Sequence, residues 1–321
     1  MLSVPPQPIC WTKEIITVKE TGLTEEILGF LKANEVKYTR GESLSRLSTV
    51  RIGGICDIIV YPDSEDKLVR LVEFLEKGKI RYKILGRMSN VLPPDDIYRG
   101  VIIRTDLMSH AGFQGNIITA EAGISLPRLS SLCQDISLSG LEELSGIPGS
   151  LGGAIFGNAG AYGREISDLV IGVRAYDVDS KTVVELSGQM LGFGYRTSAF
   201  KSSRHVILSA RLDLSFGDED KIRSKIREIS TKRRNSQPIN MPSLGSTFKR
   251  PGENIYPWRL IDECGLRGLT IGGATVSEKH AGFIVNQGNA TSADYLAVVS
   301  YVKNTVQEKT GVNLEYEFEI L

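Results

Sequence analysis

Three short segments carry side chains able to act on a small anion or an activated carbon. Gly194-Tyr195-Arg196-Thr197-Ser198 sets a guanidinium between a phenol and two hydroxyls. A fixed positive charge there could hold a carboxylate or a phosphate. Gly245-Ser246-Thr247-Phe248-Lys249 offers a serine in a tight-turn setting beside an apolar anchor. It is not a GxSxG elbow, so acyl-serine chemistry has little support. Leu314-Glu315-Tyr316-Glu317-Phe318-Glu319 puts three acids on one face of an expected strand by period-two alternation. Spacing alone does not choose among them. Taken singly, each segment also has a plain structural reading: an exposed arginine at a strand end, a turn serine, a solvated strand face.

Two further segments could cradle a phosphate. One is Gly86-Arg87-Met88-Ser89-Asn90; the other runs Gly146-Ile147-Pro148-Gly149-Ser150-Leu151-Gly152-Gly153-Ala154 and leads to Asn158-Ala159-Gly160-Ala161-Tyr162-Gly163. Backbone free of side chains lets successive N–H groups converge on anionic oxygens. Neither segment is a GxGxxG opening a helix after a strand, nor a GxxxxGK[ST] loop. Glycine makes up 33 of the 321 residues, about 10% against the usual 7% or so. Tight turns explain any one of these glycines; the whole second block is better explained by a ligand approaching the backbone. Lys232-Arg233-Arg234 reads as a solvated helix end, of interest only if a polyanion must be held nearby.

Composition excludes several classes. Lys+Arg and Asp+Glu both number 38, so no general basic surface for nucleic acid or an anionic membrane is expected. Cys10, Cys56, Cys133 and Cys264 form no CxxC, which fits a reducing compartment. His110, His205 and His280 form no HExxH, so no metal site is expected. No apolar run approaches the ~18 residues of a spanning helix. The opening MLSVPPQPICW lacks the features of a signal peptide. A cytoplasmic, multi-domain α/β protein follows, with Asn289-Ala290-Thr291 carrying no meaning without secretion.

The elements that must position these residues can be read from periodicity. An irregular lead-in over 1–12 precedes a helix capped by Thr24, with Leu23, Ile27, Leu28 and Leu31 at helical spacing. A strand over 56–61, a helix capped by Asp63 or Ser64 and ended by Gly78, and a strand over 82–85 form one unit. That unit ends in the 86–90 loop, at the carboxyl end of a strand, where such sheets place ligands. Strands are expected at 100–104, 116–121, 169–177, 182–186 and 205–214, with a helix over 126–136. A charged helix over 219–233 leads to a linker through Pro242. A strand over 282–286, an amphipathic helix over 292–309 carrying Leu296, Val299, Val302 and Val306, and a last strand over 312–320 close the chain. No internal repeat is visible.

In order, the segments resemble the UDP-N-acetylenolpyruvoylglucosamine reductases, flavoenzymes of peptidoglycan precursor synthesis. The likeness runs from about residue 45 to the end. It rests on Thr49-Val50-Arg51-Ile52-Gly53-Gly54, Ser89-Asn90, the two parts of the second glycine block, Tyr195–Lys201, Gln237-Pro238, Gly245–Lys249, Gly265-Leu266-Arg267-Gly268, Val276–Asn286 and Leu314–Glu317. The subtype without an extra tyrosine-bearing loop fits best. The resemblance implies an α+β fold: a two-part FAD-binding domain of the vanillyl-alcohol-oxidase/PCMH type plus a C-terminal α/β substrate domain. The divisions would be 1–45 (lead-in and helix), 46–216 (FAD) and 217–321 (substrate).

The family reaction is NADPH-dependent reduction of the enolpyruvyl ether of UDP-N-acetylglucosamine to UDP-N-acetylmuramate, with FAD held non-covalently and both substrates using one pocket in turn. By motif position, flavin N5 delivers hydride, Arg196 and Glu317 stabilise the enolate-like species, and Ser246 donates the proton. FAD contacts would come from Arg51, Gly53, Gly86, Arg87, Met88, Ser89, Asn90, Gly146, Ile147, Pro148, Gly149, Ser150, Gly153, Ala154 and Asn158. Tyr162, Tyr195, Lys249 and Arg250 would bind substrate. A monomer is expected, with NADPH and the UDP-sugar as its partners and neither nucleic acid nor membrane.

Three departures from the family pattern stand out. Arg87 and Met88 replace glycines of a Gly-Gly-Gly-Ser-Asn loop, where side chains are expected to crowd the pyrophosphate; Arg87 can compensate by charge and Met88 cannot. Pro93-Pro94 removes backbone donors. Arg250 stands where asparagine is common. Other readings of the same scaffold are a divergent FAD-dependent oxidase, although no histidine or cysteine in 86–95 could tether flavin, and an inactive nucleotide-binding relative.

Overall fold

A computed structural model describes residues 21–321; the expected lead-in and Cys10 lie outside the described residues. The first helix is Thr21–Ala33, so Thr24 sits inside it and does not cap it. Apolar spacing locates a helix's buried face but not its first turn, where nothing need be buried.

The first sheet runs Lys37–Ser43, Ile55–Tyr61, Tyr98–Arg104, Tyr82–Leu85; the first pair is antiparallel and the others are parallel. Helix Glu65–Lys77 makes the crossover from Ile55–Tyr61 to Tyr82–Leu85. Ser64 is its cap, accepting from the Lys67 N–H. Leu68, Leu71, Val72 and Leu75 pack under Ile58, Val60, Val101 and Ile103, as a helical face against a two-sided parallel sheet requires.

The second sheet is antiparallel: Thr182–Leu186, Val170–Asp177, His205–Asp213, Ile117–Glu121, Ala111–Gln114. Helix Leu126–Asp135, capped by Ser125, and helix Leu151–Gly157, capped by Ser150, close over it. The sheets share a core, since Tyr176, Val206 and Leu208 of the second pack into the cluster of the first.

Helix Glu219–Ser236 runs three residues beyond the expected end, absorbing Arg234, Asn235 and Ser236. Pro238 is what stops it, because the residue before a proline avoids helical angles. A third antiparallel sheet follows, ordered Ser243–Ser246, Phe283–Asn286, Ala274–Val276, Thr270–Ile271. Helix Ser292–Thr310 covers it, entered through a Thr291/Asp294 capping box and left through Gly311 in the left-handed region. Its core also takes in Val50, Ile52 and Leu92 from the first part of the chain.

The expected strand over 312–320 is a correction. Only Glu319–Ile320 pairs as a strand, parallel to Val91–Leu92, with an isolated bridge between Tyr316 and Phe248. Leu314 and Phe318 are buried, so the alternation reported which side chains turn inward, not a continuous ladder.

Candidate active site

The C-terminal segment acts as a strap across two loops. The Glu317 N–H donates to the Thr247 carbonyl at 2.9 Å, and the Lys249 N–H donates to the Glu315 carbonyl at 2.9 Å. On the other side, Asn90 Nδ2 donates to the Glu317 carbonyl at 2.9 Å, while the Glu319 and Leu321 N–H groups donate to the carbonyls of Asn90 and Leu92. Glu317 is thus pinned between the 86–92 loop and the 246–249 turn. Its three-acid neighbourhood is resolved by partner: Glu315 pairs with Lys249, Glu319 with Lys201, and Glu317 with Arg196.

Arg196 occupies a tight turn closed by Gly194 and Thr197, at φ +54°. Its Nε donates to Glu317 Oε1 at 2.6 Å, its Nη2 to the Gly160 carbonyl at 3.1 Å, and its Nη1 to the Asn158 carbonyl. A guanidinium in an unfavourable backbone region, held by three partners, marks strain stored at a site. Arg51, Met88, Asn158 and Tyr162 share that positive φ. Asn158 is buried, with Nδ2 donating to Glu165 and to the Gly194 carbonyl and Oδ1 accepting from the Ser167 N–H. Its side chain thus ties the Arg196 turn, through Gly194, to the 165–167 segment.

Arg196, Ser246 and Glu317 line one open cleft of about 520 Å³ together with Tyr195, Arg250, Trp258 and His280. The Tyr195 hydroxyl accepts from the Arg250 N–H at 2.9 Å, and the guanidinium groups of Arg196 and Arg250 lie 5.1 and 5.5 Å from its ring centre. Lys249 does not line this cleft, being paired with Glu315. Tyr162 is also outside its lining, exposed near the end of helix Glu219–Ser236.

Two contributors were missed in the sequence. His280 lines the cleft, with burial pulling its imidazole below the ordinary value. Its Nδ1 accepts from the Gly282 N–H at 3.2 Å, so the neutral ring carries its proton on Nε2. Its signal was its place inside the matched Val276–Asn286 segment. From the sequence alone Arg233 belongs to a solvated helix end. Its side chain instead lies against Gly146, where an added Cβ would sit 2.6 Å from Arg233 Cδ. Burial lowers its affinity for a proton. The lack of a side chain at Gly146 was the available signal, since only glycine leaves that passage open.

The glycine segments meet. A Cβ on Gly86 would strike Ser150 Oγ at 2.1 Å, and one on Gly149 would touch Ser89 Oγ at 3.5 Å. Met88 corrects the expected crowding: it is 2% exposed and packs with Leu44, Leu85, Tyr98 and Ile102. Its left-handed backbone turns the side chain into the core and leaves the loop's outer face to Gly86, Ser89 and the exposed Arg87. Glycine backbone, a serine hydroxyl and two guanidinium groups are a donor set that suits a diphosphate, so the residues present fit FAD. The prolines serve another purpose. Pro93 packs on Gly53, the Pro94 carbonyl accepts from the Gly54 N–H, and Asp95 accepts from the Ser292 and Ala293 N–H groups at 2.7 and 3.0 Å. This ties the first sheet to the start of helix Ser292–Thr310. Arg51 lies beside a second, polar cavity with Thr49 and residues 239–242.

Residues 56–187 match the family model of an FAD binding domain, which makes the protein a flavoprotein of α+β fold. Residues 237–321 match that of the C-terminal domain of UDP-N-acetylenolpyruvoylglucosamine reductase. The reductase of that name from Caldanaerobacter subterraneus subsp. tengcongensis is 40% identical over 93% of this chain and 98% of its own. The one from Clostridioides difficile is 41% identical over 92% and 96%. Among solved structures, UDP-N-acetylenolpyruvylglucosamine reductase (MurB) from Thermus caldophilus superposes with a TM-score of 0.75 at 30% identity, covering 89% of this chain and 98% of that one. The chain belongs to the UDP-N-acetylenolpyruvoylglucosamine reductase family. Among the described residues no helix is long and apolar enough to cross a membrane, and no three His, Cys, Asp or Glu side chains gather as a metal site.

Proposed function

We propose that this chain reduces UDP-N-acetylenolpyruvoylglucosamine to UDP-N-acetylmuramate for peptidoglycan synthesis, with FAD as cofactor and NADPH as electron source. The observation that carries the reading is one cleft lined by Arg196, Glu317 and Ser246, drawn from three distant stretches of chain. FAD, when bound, supplies a two-electron carrier between NADPH and the enol ether. The backbone of the 86–90 and 149–153 segments would hold its diphosphate, with Arg87 and Arg233 adding charge.

Reduction at the terminal carbon of the enolpyruvyl group leaves negative charge on the neighbouring carbon and its carboxylate. Arg196 faces that charge as a fixed cation, held by the Gly160 and Asn158 carbonyls so that little reorganisation is needed. Glu317 accepts a hydrogen bond from the Arg196 guanidinium and so helps stabilise the same species by orienting that cation. Ser246 gives up its hydroxyl proton to the carbanion, which is basic enough to take it from so weak an acid when the two are placed together. Tyr195 and Arg250 border the path by which the UDP moiety enters.

The division into a cofactor unit over 46–216 and a substrate unit over 217–321 is supported by their separate cores, although Val50, Ile52 and Leu92 join the second. The buried, free Cys56, Cys133 and Cys264 support a reducing, cytoplasmic setting. Anaerobic incubation of the FAD-loaded protein with NADPH and the enol ether should yield UDP-N-acetylmuramate, one NADPH consumed per product. NADPH oxidation that requires oxygen, with the sugar recovered unchanged, would overturn the reading in favour of an oxidase.

A further inference from the structure

Thr247 joins the two groups that the proposed reaction uses after electron transfer. It follows Ser246 directly, and its carbonyl accepts the Glu317 N–H at 2.9 Å. Its own N–H donates to the Gly282 carbonyl at 2.9 Å. Its side chain turns away from the cleft and is 1% exposed. The Thr247 hydroxyl, buried there, has no hydrogen-bond partner among the described residues, and neither does the hydroxyl of the fully buried Tyr295. The Thr247 hydroxyl lies close enough to bear on the Tyr295 phenol without a formed hydrogen bond between them. Two neighbouring buried hydroxyls left unpaired is an arrangement that folded proteins avoid, and pairing them with each other would satisfy both.

The Tyr295 ring is fixed independently. It stands edge-on to Phe318 at 5.5 Å and 90°, and Phe318 is the neighbour of Glu317. Burial pushes the Tyr295 phenol up, so it remains a proton donor throughout the working range of pH.

We infer that Tyr295 is a positioning residue: its hydroxyl pairs with that of Thr247 and thereby fixes the residue that follows Ser246 and holds the Glu317 N–H. The inference rests on the proposed reaction, in which those two groups act together on the enol ether. It assigns a catalytic consequence to a core tyrosine on helix Ser292–Thr310 that never touches substrate. Loosening Thr247 displaces Ser246 and Glu317 at once, and small displacements of reacting groups are costly in rate. The NADPH half of the cycle uses neither group and is insulated.

The test uses FAD-loaded protein and two single-turnover traces, bleaching of the flavin by NADPH and its anaerobic recolouring by the enol ether. Tyr295→Phe and Thr247→Val should each bleach within about twofold of wild type and recolour about tenfold more slowly. The double variant should be no slower than either single one, because both remove the same bond. Thr247→Ser, which keeps the hydroxyl, should recover most of the lost rate. Recolouring at the wild-type rate in Tyr295→Phe, with a raised thermal midpoint because a lone buried hydroxyl has been removed, would overturn the inference. Equal slowing of both traces with a lowered midpoint would also overturn it, leaving a merely structural tyrosine. Wild-type protein that bleaches but is not recoloured by the enol ether would sink the proposed reaction itself, and this inference with it.

Discussion

Arg196 meets Glu317, Gly160 and Asn158 through three different nitrogens, a demand that only a planar fork satisfies. Lysine would keep the charge and lose the geometry. Arg196→Lys should therefore slow recolouring by the enol ether roughly 100-fold, the usual cost of removing one preorganised charge donor, while bleaching by NADPH stays near wild type. Arg233 makes a separate prediction. Its side chain lies against Gly146 in the glycine block, so Arg233→Met should weaken FAD retention, read as the flavin-to-protein ratio after gel filtration. Gly146→Ala, which displaces the Arg233 stem, should do the same, and unchanged retention in both would remove Arg233 from the cofactor cradle. His280 gives a pH prediction. Its folded-state value is lowered by burial, so the unfolded chain binds more protons and stability falls as pH drops below about 6.5. Thermal midpoints should decline more steeply with acid in wild type than in His280→Gln.

At the scale of elements, the strap decides where Glu317 sits. Removing Glu319, Ile320 and Leu321 deletes the parallel pairing to Val91–Leu92 and the bonds to Asn90 and Leu92. That truncation should abolish recolouring while lowering the thermal midpoint by only a few degrees, since little of the core is touched. The alternation in 312–320 was legible as an inward and outward pattern, and Leu314 and Phe318 are indeed buried. What it could not show is that the partners are two loops from far-off parts of the chain. Met88 teaches a related lesson. A non-glycine residue in a glycine-rich loop suggested obstruction, yet the left-handed backbone at that position swings the side chain into a core formed with Leu44 and Ile102. Met88→Gly would relieve strain of about 1–2 kcal/mol but empty a buried site worth about 2–5 kcal/mol, so the variant should be less stable than wild type.

Across the whole molecule, the local units were readable because each carries its own signal: the helix face of Leu68, Leu71, Val72 and Leu75, the Ser64 cap, the Gly311 stop. The cleft was readable only through the resemblance, because Arg196, Ser246 and Glu317 have ordinary roles when taken one at a time. Their convergence depends on long-range contacts. Asn90 reaches Glu317 across 227 positions, and Pro93–Asp95 docks on a helix some 200 residues later. The Pro93-Pro94 pair, unexpected by family comparison, belongs to that docking, and no period or motif could have announced it. Cofactor loop, strap and substrate sheet therefore meet at one place for reasons that no short window of sequence contains.

The most direct test of the account is the anaerobic flavin trace of Ser246→Ala. NADPH should bleach this variant at the wild-type rate, and the enol ether should then fail to restore the colour. Colour that returns as fast as in wild type would contradict the assignment of the cleft's proton to Ser246 and, with it, the chemistry proposed for this site.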